Sequence, residues 1–243
     1  MKLILLSLGI GMLVSSCEAE AAIASSCACT NPVFVTSDTN GGWSNGGYYI
    51  HNNMWHASSG QKLYACACSN WYVTAEFPNT TSVKTYPNVH KDINYLKGTP
   101  LDSYRVITST FGATSPRFGI YDVAYDIWFN GVGWGGGTTE LMIWTENCKQ
   151  TPLGSLQGQA TFDGITYDAY HYTGDGANVV TFLPRSPLTS GKLNLKAMFD
   201  WAIKKGWMPA NPTVNQICYG VEICSTENKP ATFCFTDFSV TMN

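Results

Sequence analysis

The sequence predicts an all-β protein: an antiparallel β-sandwich of the jelly-roll type, its inner sheet bent into a concave cleft, with one α-helix. Three observations predict it. Short apolar/polar alternations recur between Gly, Asn and Pro turn signals, the pattern of many closely spaced strands. Charged residues make up only 13% and Gly numbers 23, which excludes a helical bundle and a disordered chain. A single late stretch carries the helical period. With 243 residues, no repeat and no long linker, one domain over 25–243 is expected.

Residues 1–24 read as an export signal: Lys2, an apolar run from Leu3 to Val14, then small residues offering Ala19-Glu20-Ala21 and Ala22-Ile23-Ala24 for cleavage. The run is too short to span a bilayer. The rival reading is a lipoprotein signal, Val14-Ser15-Ser16-Cys17, which would lipidate Cys17 and so anchor the chain. Both imply export. With Cys17 set aside, Cys27, Cys29, Cys66, Cys68, Cys148, Cys218, Cys224 and Cys234 remain, an even set that implies disulfides. On strands, each Cys-x-Cys pair places both sulfurs on one face, so 27/29 and 66/68 could join across adjacent strands. Cys-x-Cys is not the usual zinc spacing, and no metal is expected.

In chain order, strands are expected over Val33–Ser37 and Tyr48–Trp55, separated by the Gly-rich turn 40–47. Lys62–Cys68 and Trp71–Phe77 follow, then an Asn79-Thr80-Thr81 glycosylation acceptor that matters only in a eukaryotic host. Tyr86–Val89 reads as a turn or strand edge and Tyr104–Thr110 as a strand. Asp122–Asn130 alternates most clearly: Val123, Tyr125, Ile127 and Phe129 inward, Asp122, Ala124, Asp126, Trp128 and Asn130 outward. Glu140–Trp144 pairs with it across a Gly-rich link. Gln159–Phe162, Ile165–Tyr172, Asn178–Leu183, Val214–Cys224 and Thr232–Thr241 complete the strands. The helix is Leu193–Lys205, with Leu195, Met198, Phe199, Ala202 and Ile203 on one face and Gly206 as its stop.

Glu140, Met142 and Trp144 share one face while Leu141 and Ile143 point to the core, and Glu222 faces outward between Val221 and Ile223. A ring that stacks on a pyranose beside a carboxylate suits a sugar. Two glutamates on one sheet face therefore point to cleavage of a glycosidic bond. Asp126 lies near Glu140, and adjacent acids raise the proton affinity of one of them. Glu76, Glu146, Glu227 and Asp237 read as solvated surface acids, and Trp43, Trp134 and Tyr172 as further rings able to line the cleft. A net charge of −3 with no basic stripe excludes a nucleic-acid partner and fits a neutral polymer.

Several stretches resemble glycoside hydrolase family 12, the small endo-β-1,4-glucanases and xyloglucanases built on a β-jelly roll. They are Asn52-Asn53-Met54-Trp55, Val83-Lys84-Thr85-Tyr86-Pro87-Asn88, Val123–Trp128, Glu140-Leu141-Met142-Ile143-Trp144 and Gly220-Val221-Glu222-Ile223. The resemblance covers roughly residues 27 to 243. It implies that Glu140 is the nucleophile, Glu222 the general acid/base and Asp126 the group that tunes Glu140. It further implies that Trp55 stacks on a sugar with Asn53 bonding nearby, that Met142 and Trp144 floor the cleft, and that Pro152 borders it. A bridge from Cys27 or Cys29 to Cys66 or Cys68 resembles the family's usual single disulfide. Two departures stand out: His56 replaces a frequent Gly, and Cys224 stands where an aromatic ring is usual. The implied protein is an exported, monomeric, cofactor-free retaining endo-β-1,4-glucanase acting on cellulose-like or mixed-linkage β-glucan. A xyloglucan-specific endoglucanase or a xylanase on the same fold, or a non-catalytic carbohydrate-binding jelly roll, is the alternative.

Overall fold

The computed structural model describes residues 27–243; the expected export signal and Cys17 lie outside the described residues. The strands run β1 (Phe34–Thr36), β2 (Gly42–Asn45), β3 (Tyr48–His51), β4 (Gln61–Ala67), β5 (Asn70–Ala75), β6 (Asn88–Asp92), β7 (Thr99–Pro100), β8 (Ile107–Thr114) and β9 (Ile120–Phe129). They continue with β10 (Thr139–Cys148), β11 (Ser155–Phe162), β12 (Ile165–Gly174), β13 (Ala177–Pro184) and β14 (Ser190–Asn194). Helix α1 (Leu195–Lys204) precedes β15 (Thr213–Ser225) and β16 (Ala231–Met242).

These strands form two sheets. One has six strands in the order β1-β4-β5-β16-β8-β14. The other has ten, in the order β11-β12-β13-β10-β9-β15-β6-β3-β2, with β7 added beside β15. Pairing is antiparallel apart from β10 with β13. The larger sheet centres on β9, flanked by β10 and β15.

Period-two alternation explains why the sheets stack. The inward set of β9, Tyr121, Val123, Tyr125, Ile127 and Phe129, is buried between them. Aromatic rings carry the contact across: Tyr125 lies 4.6 Å from Tyr219, Tyr219 meets the Phe235 edge at 5.6 Å, and Phe235 stacks on Trp71 at 4.0 Å. Two of these buried phenols are hydrogen-bonded, Tyr125 to the Ser109 hydroxyl at 2.8 Å and Tyr219 to the Thr145 hydroxyl at 3.1 Å. Helix α1 closes one end, with Phe199 against Phe129 and Trp201 against Phe182. It begins later than the sequence predicts, because Leu193 belongs to β14 and the Asn194 side chain caps the helix by accepting from the Ala197 N–H.

Two other expectations change. The glycine-rich segment 40–47 is not a plain turn, since Gly42–Asn45 pairs with β3. Only Gly46 and Gly47 form the connection, with φ of 60° and 82°, the left-handed pair that a two-residue hairpin needs. The segment read as a turn or edge near Tyr86 leads into β6, an interior strand between β15 and β3.

The cysteines divide differently from the expected full pairing. Cys29 bridges Cys66, and Cys27 bridges Cys234 at a sequence separation of 207. Cys148 is disulfide-bonded as well. Cys68, Cys218 and Cys224 are free and buried, which corrects their assignment to disulfides. The register shift between Ala65 and Ala67 breaks the alternation, so Cys68 enters the core while Cys66 stays at the surface layer. Cys218 faces Asp126 on one side and His90 on the other, and Cys224 hydrogen-bonds Gln150; neither meets a second thiol. Residues 27–33 precede the first strand, so the two N-terminal sulfurs are free to take different partners.

The Cys27–Cys234 bridge closes a very long loop and restricts the unfolded chain accordingly. Replacing both by Ser is expected to lower stability by about 2–5 kcal/mol, measured by guanidinium unfolding.

Candidate active site

The outer face of the larger sheet gathers four carboxyl groups on three adjacent strands. Strand β9 supplies Asp122 and Asp126, β10 supplies Glu140, and β15 supplies Glu222. Glu222 stands directly opposite Asp122. Met142 stands opposite Asp126, so Asp126 is the diagonal neighbour of Glu140. The central strand thus gives each glutamate its own aspartate. Asp122 has no solvent exposure, Asp126 and Glu140 each have 8%, and Glu222 is partly open.

Donors around these acids are few. The Trp128 indole N–H donates to Asp126 Oδ2 at 3.1 Å, and the Trp134 indole N–H donates to Glu140 Oε2. No N–H or hydroxyl among the described residues donates to Asp126 Oδ1 or to either Asp122 oxygen. Each aspartate lies within hydrogen-bonding reach of the carboxyl beside it, Asp126 of Glu140 and Asp122 of Glu222, so a proton on one member of a pair can be offered to the other.

Burial, followed by the charges of Glu140 and Glu222, pushes Asp126 well above the carboxylate range. Burial and then the Glu222 charge do the same to Asp122. Burial also raises Glu140, but hydrogen bonds from Trp134 and Asp126 oppose it and favour its anion. Glu222 is pushed up to about 7, by burial first and the Glu140 charge second, with the Asp122 hydrogen bond pulling the other way. All four acids thus hold their protons more tightly than free carboxyls, and Glu140 is the one on which two hydrogen bonds, from Trp134 and Asp126, act in favour of the anion.

Around this centre, the segment 83–88 runs along β15. Lys84 N–H donates to Ile223 O at 2.9 Å, and Ile223 N–H returns to Thr85 O at 3.1 Å. Thr85 also bridges to Met54, which draws the Asn53–Trp55 segment beside β15. Asn53 adopts a φ of 43°, a conformation Asn tolerates well, and its amide donates to Tyr86 O at 3.1 Å. Trp55 is 50% exposed, an open ring face. Beneath the acids, Tyr86, Trp128 and Cys218 form one cluster, anchored by the Tyr86 hydroxyl on Ala124 O at 3.0 Å.

The other candidate positions differ in their exposure. Trp144 is only 2% exposed, packed with Met142, Ala124 and Val179, so its ring supports the floor and is not offered to a sugar. Trp43 packs against Phe34 at the core edge. Tyr172 packs against the Met142 and Trp144 group. Pro152 is buried in the link after β10. Glu146, read as a surface acid, is 5% exposed. The register shift between Trp144 and Glu146 turns it inward opposite Val123, where Ser115 and Tyr121 hydroxyls donate to it at 2.5 and 2.8 Å. Asp122 was assigned no role from sequence. Its signal was its place four residues before Asp126, which puts both on one strand face.

A sandwich whose exposed sheet face carries paired acids flanked by open rings defines a glycoside hydrolase. The chain belongs to glycosyl hydrolase family 12, whose profile matches residues 46–243. It is 29% identical over 206 residues to Endoglucanase S of Pectobacterium parmentieri, covering 74% of this chain and 76% of that one. Among solved structures it resembles the xyloglucanase domain of NopAA, a type three effector from Sinorhizobium fredii in complex with cellobiose. That likeness has a TM-score of 0.77 and 28% identity, covering 88% of this chain and 100% of the other. It is also 22% identical over 205 residues to the inactive glycoside hydrolase XLP1 of Phytophthora nicotianae, covering 77% of this chain and 84% of that protein.

Two outcomes follow for pH. An acid that must deliver its proton works only below its own pKa, so glucan hydrolysis should fall as pH rises through about 7, the value set at Glu222. Asp122→Ala removes the donor facing Glu222, so Glu222 should hold its proton more tightly and this basic limb should move to higher pH. Asp122→Asn keeps an N–H donor and should leave the limb near that of the wild type. Rate profiles of kcat/KM against pH check both.

Proposed function

We propose that this chain is an exported, retaining endo-β-1,4-glucanase that cuts internal bonds of cellulose-like or mixed-linkage β-glucan. The observation that carries the reading is the pairing of two glutamates with two aspartates across β9, with Glu222 raised to about 7 and Glu140 faced by hydrogen bonds from Trp134 and Asp126 that oppose its burial. The family membership and the kinship with Endoglucanase S support the substrate class.

In the first step a Glu140 oxygen attacks the anomeric carbon, the glycosidic C–O bond breaks, and the leaving oxygen takes the Glu222 proton. A glycosyl ester of Glu140 results. In the second step Glu222, now ionised, takes a proton from water while the water oxygen attacks the same carbon. The ester bond breaks and Glu140 recovers its electron pair. Asp126 supports the anionic Glu140, and Asp122 supports Glu222 while it is ionised. Trp55, half exposed beside the acid/base strand, is the sugar platform of this reading, with Asn53, Met142, Trp144 and Pro152 shaping the cleft around it.

Xyloglucan is the second substrate this reading admits, favoured by the likeness to the NopAA xyloglucanase domain. Reducing-sugar release from carboxymethyl cellulose, barley β-glucan, xyloglucan and xylan separates the specificities. Glu222→Gln should lower the rate on the preferred glucan by about 100- to 10,000-fold, and Glu140→Gln by at least as much. Proton NMR of the first product should show the β-anomer; an α-anomer would point to inversion. Folded protein that binds glucan but cleaves none of the panel would place this chain with the inactive relative XLP1.

A further inference from the structure

The link from β9 to β10 is unusual in make-up and in what it holds. Gly131, Gly133, Gly135, Gly136 and Gly137 all have φ between 59° and 125°, a region open to glycine at no steric cost. A Cβ added at Gly133, Gly135, Gly136 or Gly137 would meet nothing within 4 Å, so this stretch stands clear of the body. Its own turn is tied by the Thr138 hydroxyl, which donates to Gly133 O at 2.7 Å and Gly135 O at 2.8 Å. Its tie to the cleft is Trp134. That residue is 57% exposed, so burial does not hold the ring, yet its indole N–H reaches Glu140 Oε2.

The setting of Glu140 gives that N–H its meaning. Asp126 and Asp122 act on it from β9, Glu222 and Cys218 from β15, and Tyr86 lies close to the same acids. Strand β13 places Val179 opposite it. These neighbours are acids, a thiol, a phenol and an apolar side chain, and none is a cation. Asp126 donates to Glu140 only while it keeps its own proton. An indole N–H is a donor at every working pH and can never accept.

We propose that Trp134 is a positioning residue for Glu140: its N–H, carried over the cleft by the glycine link, holds the nucleophile as a carboxylate among acids and receives that carboxylate again when the glycosyl-enzyme is hydrolysed. The proposal rests on the reading of Glu140 as nucleophile. A hydrogen bond to a carboxylate is about twice as strong as one to a neutral acceptor. In the glycosyl-enzyme Glu140 is a neutral ester, so the bond weakens. It is regained when water attacks the anomeric carbon, the ester C–O bond breaks with its electron pair returning to Glu140, and the water proton passes to Glu222. Loss of the N–H therefore disfavours the free carboxylate relative to both its acid and its ester.

The test uses the full chain with Trp134→Phe, which keeps a ring and removes the donor, and Trp134→Ala, which removes both. Carboxyl carbon NMR of glutamate-labelled protein, with the Glu140 signal assigned through Glu140→Gln, reads the proton affinity of Glu140 without any turnover. Both variants should bind that proton about tenfold more tightly than wild type. With an activated dinitrophenyl cellobioside, Trp134→Phe should accumulate the glycosyl-enzyme, seen by intact mass, where wild type does not. An unchanged Glu140 titration in Trp134→Phe overturns the proposal. So does an effect confined to KM in Trp134→Ala, which would make the ring a sugar contact alone. Should wild type cleave no glucan, the glucanase reading fails, and the titration still decides the role of the indole.

Discussion

Acids buried within reach of one another on a single sheet face are the constraint to which the rest of this protein answers. A buried carboxylate with an acid for its neighbour and no cation nearby cannot stay ionised unless a donor faces it. Strand β9 meets that requirement on both sides, lending Asp126 to Glu140 and Asp122 to Glu222. Its opposite face supplies the means to hold such a strand in place, since every second residue from Tyr121 to Phe129 is sunk in the aromatic core. The two faces are one design. Inward rings fix the strand, and a fixed strand keeps the acids paired.

That arrangement acts against stability at high pH. Asp122, Asp126, Glu140 and Glu222 each bind a proton more tightly folded than unfolded. The native state therefore holds more protons over the interval between the two affinities, and stability falls as pH rises through it. The core must be large enough to absorb this. The stacked Trp71, Phe235, Tyr219 and Tyr125 show where the compensation lies.

Much of this was legible from the period of two. Alternation alone put Asp122, Asp126, Glu140 and Glu222 on the face away from the core, and the family likeness singled out three of them. What alternation cannot register is a bulge, because one extra residue exchanges the faces of everything beyond it. Glu146 and Cys68 were both misplaced for that reason. Nor does a pattern within one strand reveal which residue stands opposite on the next. Asp122 gained its importance only from the register with Glu222, a residue 100 positions further along. Trp134 shows a third limit: its role depends on where a glycine-rich link lays it down, and such a link carries no period to read.

The strand order also carries a consequence in time. Strands β9 and β10 are neighbours in sequence, so Glu140 and Asp126 come together through one local link. Strand β15, which carries Glu222, lies on the other side of β9, with β11 to β14 and the helix intervening in the chain. Pairings across such long stretches of chain are slow to form, because loop closure must precede any contact that rewards it. Glu140 thus reaches its place by a short closure and Glu222 by a long one. Asp122 meets Glu222 only across that long closure, so the buried setting of Asp122 depends on a strand far along the chain.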